Sequence, residues 1–423
     1  MEYLQDWGLR LMQYKYESLN TLAAVFSNIE DPRDNRGKLH KLLDIFILTV
    51  FGLLWGHTDF TNMELDLKYH TEYFTMLLGL ENGIPSHDTF STAFSIINPA
   101  EFLECFIQWI VDLTRAKGNH IAIDGKAIRA ACEKVYRKKV PMLLNALMVE
   151  TGICIGQLKV EAKTNEIKGI PDLLAWLDIE GAVVTTDAVG CQKEIIKILL
   201  SKGADFVLPV KDNQSTMHKD IQLEFNTVIA ENEIEVAATK KYAEKGITIS
   251  TPIADKLCVH QEFSQGHSRM ERRTYYVWHD TSCISKDEWT GVECVGMAVR
   301  ERLNIHRDDN GEIIDEEPTI ETETYIISKH MSAEEFGCYS RHHWAIENSL
   351  HWVLDDALRE DRCTARKGHA TENLGLMRKI IYNLLKLDDA VQGMSVRAKQ
   401  VYYRNNPDAV CKLLFEVVPG ARM

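Results

Sequence analysis

Three acidic side chains stand where short motifs end. Asp124 follows "HIAI" and precedes Gly125, Asp187 closes "VVTT" before Ala188, and Glu347 lies inside "HHWAIENSLHWVLD" at 342–355. Carboxylates at strand termini are where sheet proteins commonly build sites. Each aspartate alone also reads as a turn former or as the N-cap of a following helix. The third acid changes the weighing. Two aspartates from adjacent strand ends and one glutamate from a helix laid across the sheet edge would supply hard oxygen ligands for two Mg2+ ions, with Mn2+ as a substitute. A metal pair of that kind activates a water or a 3′-hydroxyl and stabilises the departing oxygen of an in-line displacement, chemistry that calls for carboxylates rather than His or Cys.

The elements that must position these acids are legible as changes of period. Residues 1–117 read as helical, with apolar repeats in Leu9–Phe26, Leu39–Trp55, Asn62–Leu80 and Glu101–Leu113. "DPRDNRG" and "GIPSHDTF" punctuate them, and Ser86 or Asp88 could cap the next helix. A helix-turn-helix reader with Thr89, Ser91 and Thr92 outward is one use of this module and an ordinary polar helix surface is the other. After Lys117 five strands are predicted: "HIAIDGK", "LLNALMVE", "ICIGQLKV", "AVVTTDA" and "DFVLPV". Helices over Ile167–Leu177 and Gln192–Lys202 fall between the last three. Residues 211–330 read as a strand-rich insertion. The pair Ser332/Glu335 is a capping box, after which apolar residues at three- and four-residue steps predict one long helix over 333–358. On such a helix Glu347 shares a face with Trp344, His351 and Asp355.

Composition removes several classes. The chain has 423 residues, 45% hydrophobic and 26% charged, which is globular and neither disordered nor collagenous. The longest apolar run, Ile45–Trp55, is about half of a membrane span, and Met1 is followed by Glu2 and Asp6 with no leader pattern. A cytoplasmic protein with no membrane partner is therefore expected. The ten cysteines are scattered without C-x-x-C or zinc spacing and read as small hydrophobes in a reducing compartment. No G-x-x-x-x-G-K-[ST] or G-x-G-x-x-G follows a strand, so no nucleotide cofactor is expected.

A formal charge of −14 argues against a polyanionic partner until its distribution is read. Arg115–Lys139 carries eight Lys/Arg against Asp124 and Glu133, and Arg359–Arg404 carries ten against five acids. The acidity is concentrated in 301–323, with nine acids against Arg302 and Arg307. A charge run is usually a solvated face, but two basic segments flanking candidate acids fit nucleic acid.

Taken in order, "IDGKAIR" (123–129), "KTNEIKGIP" (163–171), "TTDAVGCQ" (185–192), "VKDNQ" (210–214) and "HHWAIENSLHWVLD" resemble the H-repeat-associated family of DDE insertion-sequence transposases. The resemblance runs from "DPRDNRG" to about residue 379. It implies an α/β, ribonuclease H-like mixed sheet with flanking helices, a β-rich insertion before the last acidic helix, and an all-helical N-terminal domain. The implied domains are 1–117, a core of 118–210 with 331–390, the insertion 211–330, and a tail 391–423. Carried over position by position, the family's acids fall on Asp124, Asp187 and Glu347. Related transposases show Tyr, Arg and Lys at fixed steps around the last acid; here Ser340, His343 and Leu354 occupy those steps, with Tyr339, Arg341 and His351 nearby as substitutes.

The resemblance implies Mg2+-dependent cleavage of double-stranded DNA at terminal inverted repeats, transfer of the 3′-hydroxyl to target DNA, and a homodimer on paired ends. The alternatives are a domesticated, catalytically inactive DNA-binding remnant, or a structure-selective nuclease. Candidate DNA contacts are Lys126, Arg129, Lys211, Arg341, His351, Arg362, Arg366 and Lys367, each of which is also an ordinary surface charge or helix-end residue. Asn213 reads as a cap of a helix starting near Thr216, Glu166 with Asn165 as a cap and first-turn acid, and His343 as a core histidine.

Overall fold

Side-chain caps set where the N-terminal helices begin. Thr21 accepts a hydrogen bond from Ala24 N ahead of α1 (Leu22–Phe26), Asp59 from Asn62 N ahead of α3 (Phe60–Tyr69), and Ser86 from Thr89 N ahead of α5 (His87–Ile96). Between them lie α2 (Leu42–Leu54) and α4 (Thr71–Leu78), and α6 (Pro99–Thr114) follows. The repeat expected to run through Asn62–Leu80 breaks at His70 into α3 and α4. A computed structural model of the chain describes residues 21–114, 119–128, 140–160, 166–245, 247–248, 250–266, 269–304, 306–307, 313–314 and 318–415. The 9–20 part of the first expected helix lies outside them.

The chain forms two compact units. The first takes residues 1–116, 124–178 and 345–423, and the second takes 117–123 and 179–344. In the first unit the helical module packs an aromatic core, with Phe46 against Phe26, Phe94 and Phe102. Strands β2 (Met142–Met148) and β3 (Ile153–Val160) pair antiparallel with a bulge at Ala146/Leu147, and α7 (Glu166–Trp176) follows. Helix α12 (Ala370–Leu387) bonds to β3 through Asn383, whose side chain accepts from Cys154 N at 2.9 Å and donates to Cys154 O at 2.8 Å. Helices α13 (Val396–Asn405) and α14 (Pro407–Phe415) close the described chain, and the Tyr403 carbonyl accepts from the Trp55 indole N–H.

The second unit is a mixed sheet. The start of β1 (His120–Ala127) pairs parallel with β4 (Val183–Thr186), which pairs parallel with β5 (Asp205–Val210). Helix α8 (Lys193–Ser201) connects β4 to β5, as its i, i+4 apolar pairs predict. Beyond β5 the order is β11-β8-β7-β6, all antiparallel, from β6 (Leu257–Gly266), β7 (Arg269–Trp278), β8 (Cys294–Asn304) and β11 (Thr319–Ile327). Short strands β9 (His306–Arg307) and β10 (Ile313–Ile314) form a separate ribbon. All five strands expected between residues 119 and 210 are present. The fold class is mixed α/β, as expected.

Two expectations are corrected. The segment after β5 is not strand-rich from its start, because α9 (Ser215–Ala243) takes up 29 residues near its beginning and buries Met217, Ile221, Phe225 and Val228 along one stripe. The helix over 333–358 is not continuous. Its capping box forms as expected, with Ser332 Oγ accepting from Glu335 N, but α10 (Ala333–His342) stops, Ile346–His351 is a π-helical turn, and α11 (Trp352–Asp356) resumes. A π turn holds an extra residue and so shifts every face after it. Glu347 is exposed while His351 points inward, so the two do not share the face that α-helical spacing assigned them.

Candidate active site

In the first unit, Asp124 continues β1 past its paired half. A Cβ at Gly125 would come within 2.4 Å of Glu166 Oε1, so the glycine leaves room for that carboxylate beside the strand. Glu166 is thus a buried carboxylate against the strand as well as the first-turn acid of α7; its expected partner Asn165 lies outside the described residues. His351 Nδ1 stands 3.6 Å from Asp124 Oδ2, longer than a hydrogen bond. The amide nitrogen of Asn145, on β2, donates to Leu143 O at 3.1 Å and lies 3.2 Å from His351 Nε2. A donor facing Nε2 leaves the proton of the neutral ring on Nδ1, the side of Asp124.

Lys126 sits two residues beyond Asp124 on the same strand and is only 6% exposed. Its ammonium lies 2.5 Å from Asp355 Oδ1, 3.4 Å from Glu360 Oε2 and 3.3 Å from Asp361 Oδ1. This is not the setting expected of a phosphate contact, since three carboxylates of the chain lie within 4 Å of the ammonium. Glu360 in turn pairs at 2.5 Å with Lys379 of α12, and both are essentially unexposed. Arg378 beside it donates from Nε to Leu358 O at 3.1 Å. Burial works against the Glu360 carboxylate, yet Lys379, Lys126 and Arg378 outweigh it and hold the group below its ordinary range. Burial likewise opposes the Lys126 ammonium, and Glu360, Asp355 and Asp361 reverse that. Asp355 is pushed up by its own burial and by Asp361 and Glu360, against the pull of Lys126.

In the second unit, Asp187 has the cap role that its sequence position allowed. Its Oδ1 accepts from Val189 N at 3.1 Å and opens a short 3-10 turn at Ala188–Gly190. Asn213 does not cap α9; its side chain donates to Ala188 O at 2.7 Å, while Gln214 donates to Cys191 O at 3.1 Å. The turn after β5 is therefore tied to the turn that follows Asp187. Beneath it, the Thr185 hydroxyl lies 2.7 Å from His120 Nε2 and 3.0 Å from His343 Nδ1. Burial first, then the neighbouring His343 and His342, drives His120 down to about 3. Burial drives His343 down to about 4 against the pull of Glu323. His343 is half-buried and has the Thr185 hydroxyl as a partner, the satisfied histidine that its place on the apolar stripe implied.

The other candidate DNA contacts fall in different settings. Lys211 pairs with Glu323 at 2.8 Å and Arg341 with Glu262 at 2.8 Å, each at the surface. Arg362, Arg366 and Lys367 are exposed, His351 is buried, and Arg129 lies outside the described residues. Residue spacing gave no hint of Asn145, Glu360 or Asp361 as partners. A signal for Lys379 was present in "LGLMRKIIYNLL", where two cations sit inside an apolar run that has nowhere to put them but a buried ion pair.

Three carboxylates without His or Cys are a donor set suited to a hard divalent ion. Among the described residues, no three His, Cys, Asp or Glu side chains converge at metal-ligating spacing. No helix among them is long and apolar enough to cross a membrane.

Comparison with known proteins accounts for nearly the whole chain. Residues 115–384 match the family described as "Transposase DDE domain", and residues 23–110 match the one described as "DDE_Tnp_1-associated". The "H repeat-associated putative transposase YhhI" of Escherichia coli K12 is 33% identical over 373 residues, 88% of this chain and 91% of its own. The "Putative transposase YncI" of Escherichia coli O157:H7 is 34% identical over 390 residues, 91% of this chain and 92% of its own. This chain belongs to the DDE transposase family, in its H-repeat-associated group.

Proposed function

We propose that this transposase cuts DNA at the ends of an insertion element and joins the freed 3′-hydroxyl to target DNA, with Asp124, Asp187 and Glu347 as the acids of the reaction. The observation that carries the reading is a register. Ile123 and Thr186 are partners on neighbouring parallel strands, and each is followed directly by an aspartate. Aspartates that follow paired strands, with a glutamate as third acid, are a donor set of the kind that suits a hard divalent ion.

The family's chemistry depends on a divalent metal; in this chain the three acids would hold Mg2+, as two ions, which supplies an activated oxygen nucleophile and neutralises the charge on the leaving oxygen. The chain's own groups do the positioning. Val189 N fixes one oxygen of Asp187, and Gly125 lets Glu166 close against the strand behind Asp124. His351, held by Asn145, presents a ring N–H toward Asp124 and so favours one carboxylate orientation. The exposed Lys211, Arg341, Arg362, Arg366 and Lys367 suit phosphate contacts that orient the duplex without reading its sequence. The core of 118–210 with 331–390 would carry the reaction, and two copies would act on paired element ends.

The test uses a supercoiled donor plasmid with both element ends. Asp124→Asn, Asp187→Asn and Glu347→Gln should each remove nearly all strand cleavage while leaving end binding intact. Any folded variant that still cuts at the parent rate removes that acid from the mechanism. Mn2+ should support cleavage and Ca2+ should support binding alone.

A further inference from the structure

We infer that Lys126 is a positioning residue, its buried ammonium clamping the strand that carries Asp124 to the chain segment that follows Glu347. This inference rests on the reading of those two residues as reaction acids. Residues 124 and 126 lie on one face of β1, roughly 7 Å apart along the strand. The three carboxylates around Lys126 come from the two turns after the π-helical turn: Asp355 from α11, Glu360 and Asp361 from the 3-10 turn at Glu360–Arg362. The ammonium donates to Asp361 Oδ1 at 3.3 Å and has Asp355 and Glu360 within ion-pair distance, so three carboxylates surround it and would repel an outside phosphate. A second clamp continues from the same turn, because Glu360 also holds Lys379 of α12. Lys126, Arg378 and Lys379 thus balance Asp355, Glu360 and Asp361.

The backbone records the tightness of this arrangement. Arg359, directly before Glu360, has φ of +48°, the single positive φ of a non-glycine among the described residues. A left-handed conformation is unfavourable for a residue with a Cβ and persists only where its surroundings over-determine it. Ion pairs flank the turn on both sides, Asp355 with Lys126 before it and the buried Glu360 with Lys379 after it. Reacting groups misplaced by about 1 Å can lose a hundredfold in rate, so a clamp between the two acid-bearing segments matters to chemistry as well as to folding.

The experiment takes the full chain and compares Lys126→Met with the double variant Asp355→Asn/Asp361→Asn, which leaves Lys126 and the Glu360–Lys379 pair in place. End binding is measured against salt in EDTA, amide exchange of 121–127 and 346–356 is measured without metal, and plasmid cleavage is titrated with Mn2+. The clamp predicts an unchanged salt slope, faster exchange in both segments, at least tenfold slower cleavage, and a higher Mn2+ midpoint. The double variant should move the same readouts less far. A salt slope reduced by about 0.9 with an unchanged Mn2+ midpoint would make Lys126 a phosphate contact and overturn the inference. Unchanged exchange and cleavage would overturn it as well. Should Lys126→Met not fold, the double variant decides by the same readouts. Asp124→Asn runs beside them: if it still cuts, the acid assignment fails whatever Lys126 does.

Discussion

Lowering the pH from 7 to 5 should weaken the second unit through a group far from the surface. His120 is 2% exposed and is pushed from 6.5 down to about 3, chiefly by burial, with the neighbouring His343 and His342 adding to it. A base whose folded pKa lies below its unfolded one contributes full stability above the unfolded value. That stability drains away as pH falls from there, because the unfolded chain takes up a proton that the folded chain refuses. At about 1.36 kcal/mol per pH unit, the 1.5 units between 6.5 and 5 come to about 2 kcal/mol from His120. His343, pushed down to about 4, acts with the same sign over the same window. The assay is urea unfolding at pH 7 and pH 5 for the parent and for His120→Gln, which keeps a hydrogen-bonding partner for Thr185 but cannot titrate. The parent should lose about 2 kcal/mol more than the variant over that interval. Equal losses would show that His120 titrates as an ordinary histidine and would refute the argument that burial keeps it neutral.

Other outcomes follow from the same geometry. Thr185→Val removes the hydroxyl between two ring nitrogens and should cost roughly 1–3 kcal/mol for each one left without a partner, read by denaturant unfolding at pH 7. Lys379→Met takes the closer of two cations from the buried Glu360 carboxylate, leaving Lys126 at 3.4 Å, and should cost about 3 kcal/mol, whereas Glu360→Gln with Lys379→Met should recover much of that loss. Because the folded Glu360 lies below its ordinary 4.5, its contribution is complete above that pH and is lost as pH falls further, so Glu360→Gln should flatten the acid limb of a stability profile. Gly368→Ala places a Cβ 2.2 Å from the Ser95 carbonyl at a φ of +53°, and thermal unfolding should show a loss of roughly 1–3 kcal/mol or more.

The sheet around the acids was legible because each strand is short, apolar and bounded by polar punctuation, as "VVTTD" and "DFVLPV" show. The end of the long amphipathic repeat was not legible. A period of 3.6 runs through Phe336, His343, Ile346 and Leu350 in the sequence, and nothing in residue type announces the π turn that sends His351 inward and leaves Glu347 outward. Lys126 misled for a related reason. A lysine one residue past a strand-end Gly reads as a surface cation, and only the tertiary return of Asp355, Glu360 and Asp361 shows that it is enclosed. The long α9 was hidden by its composition, since only four of its residues are buried and the rest are too polar to raise a strong stripe. By contrast, the cysteines behaved as their scatter implied: Cys105, Cys154, Cys191, Cys294, Cys363 and Cys411 are buried.

In the proposed mechanism Asp124, Asp187 and Glu347 hold the divalent ions of the reaction. A crystal of the complex with a cleaved element end, soaked in Mn2+, tests this by anomalous scattering. Manganese peaks are expected within about 2.2 Å of carboxylate oxygens of Asp124 and Asp187, with Glu347 completing the set. Peaks on other acids, with any of these three side chains bonded only to protein, would contradict it.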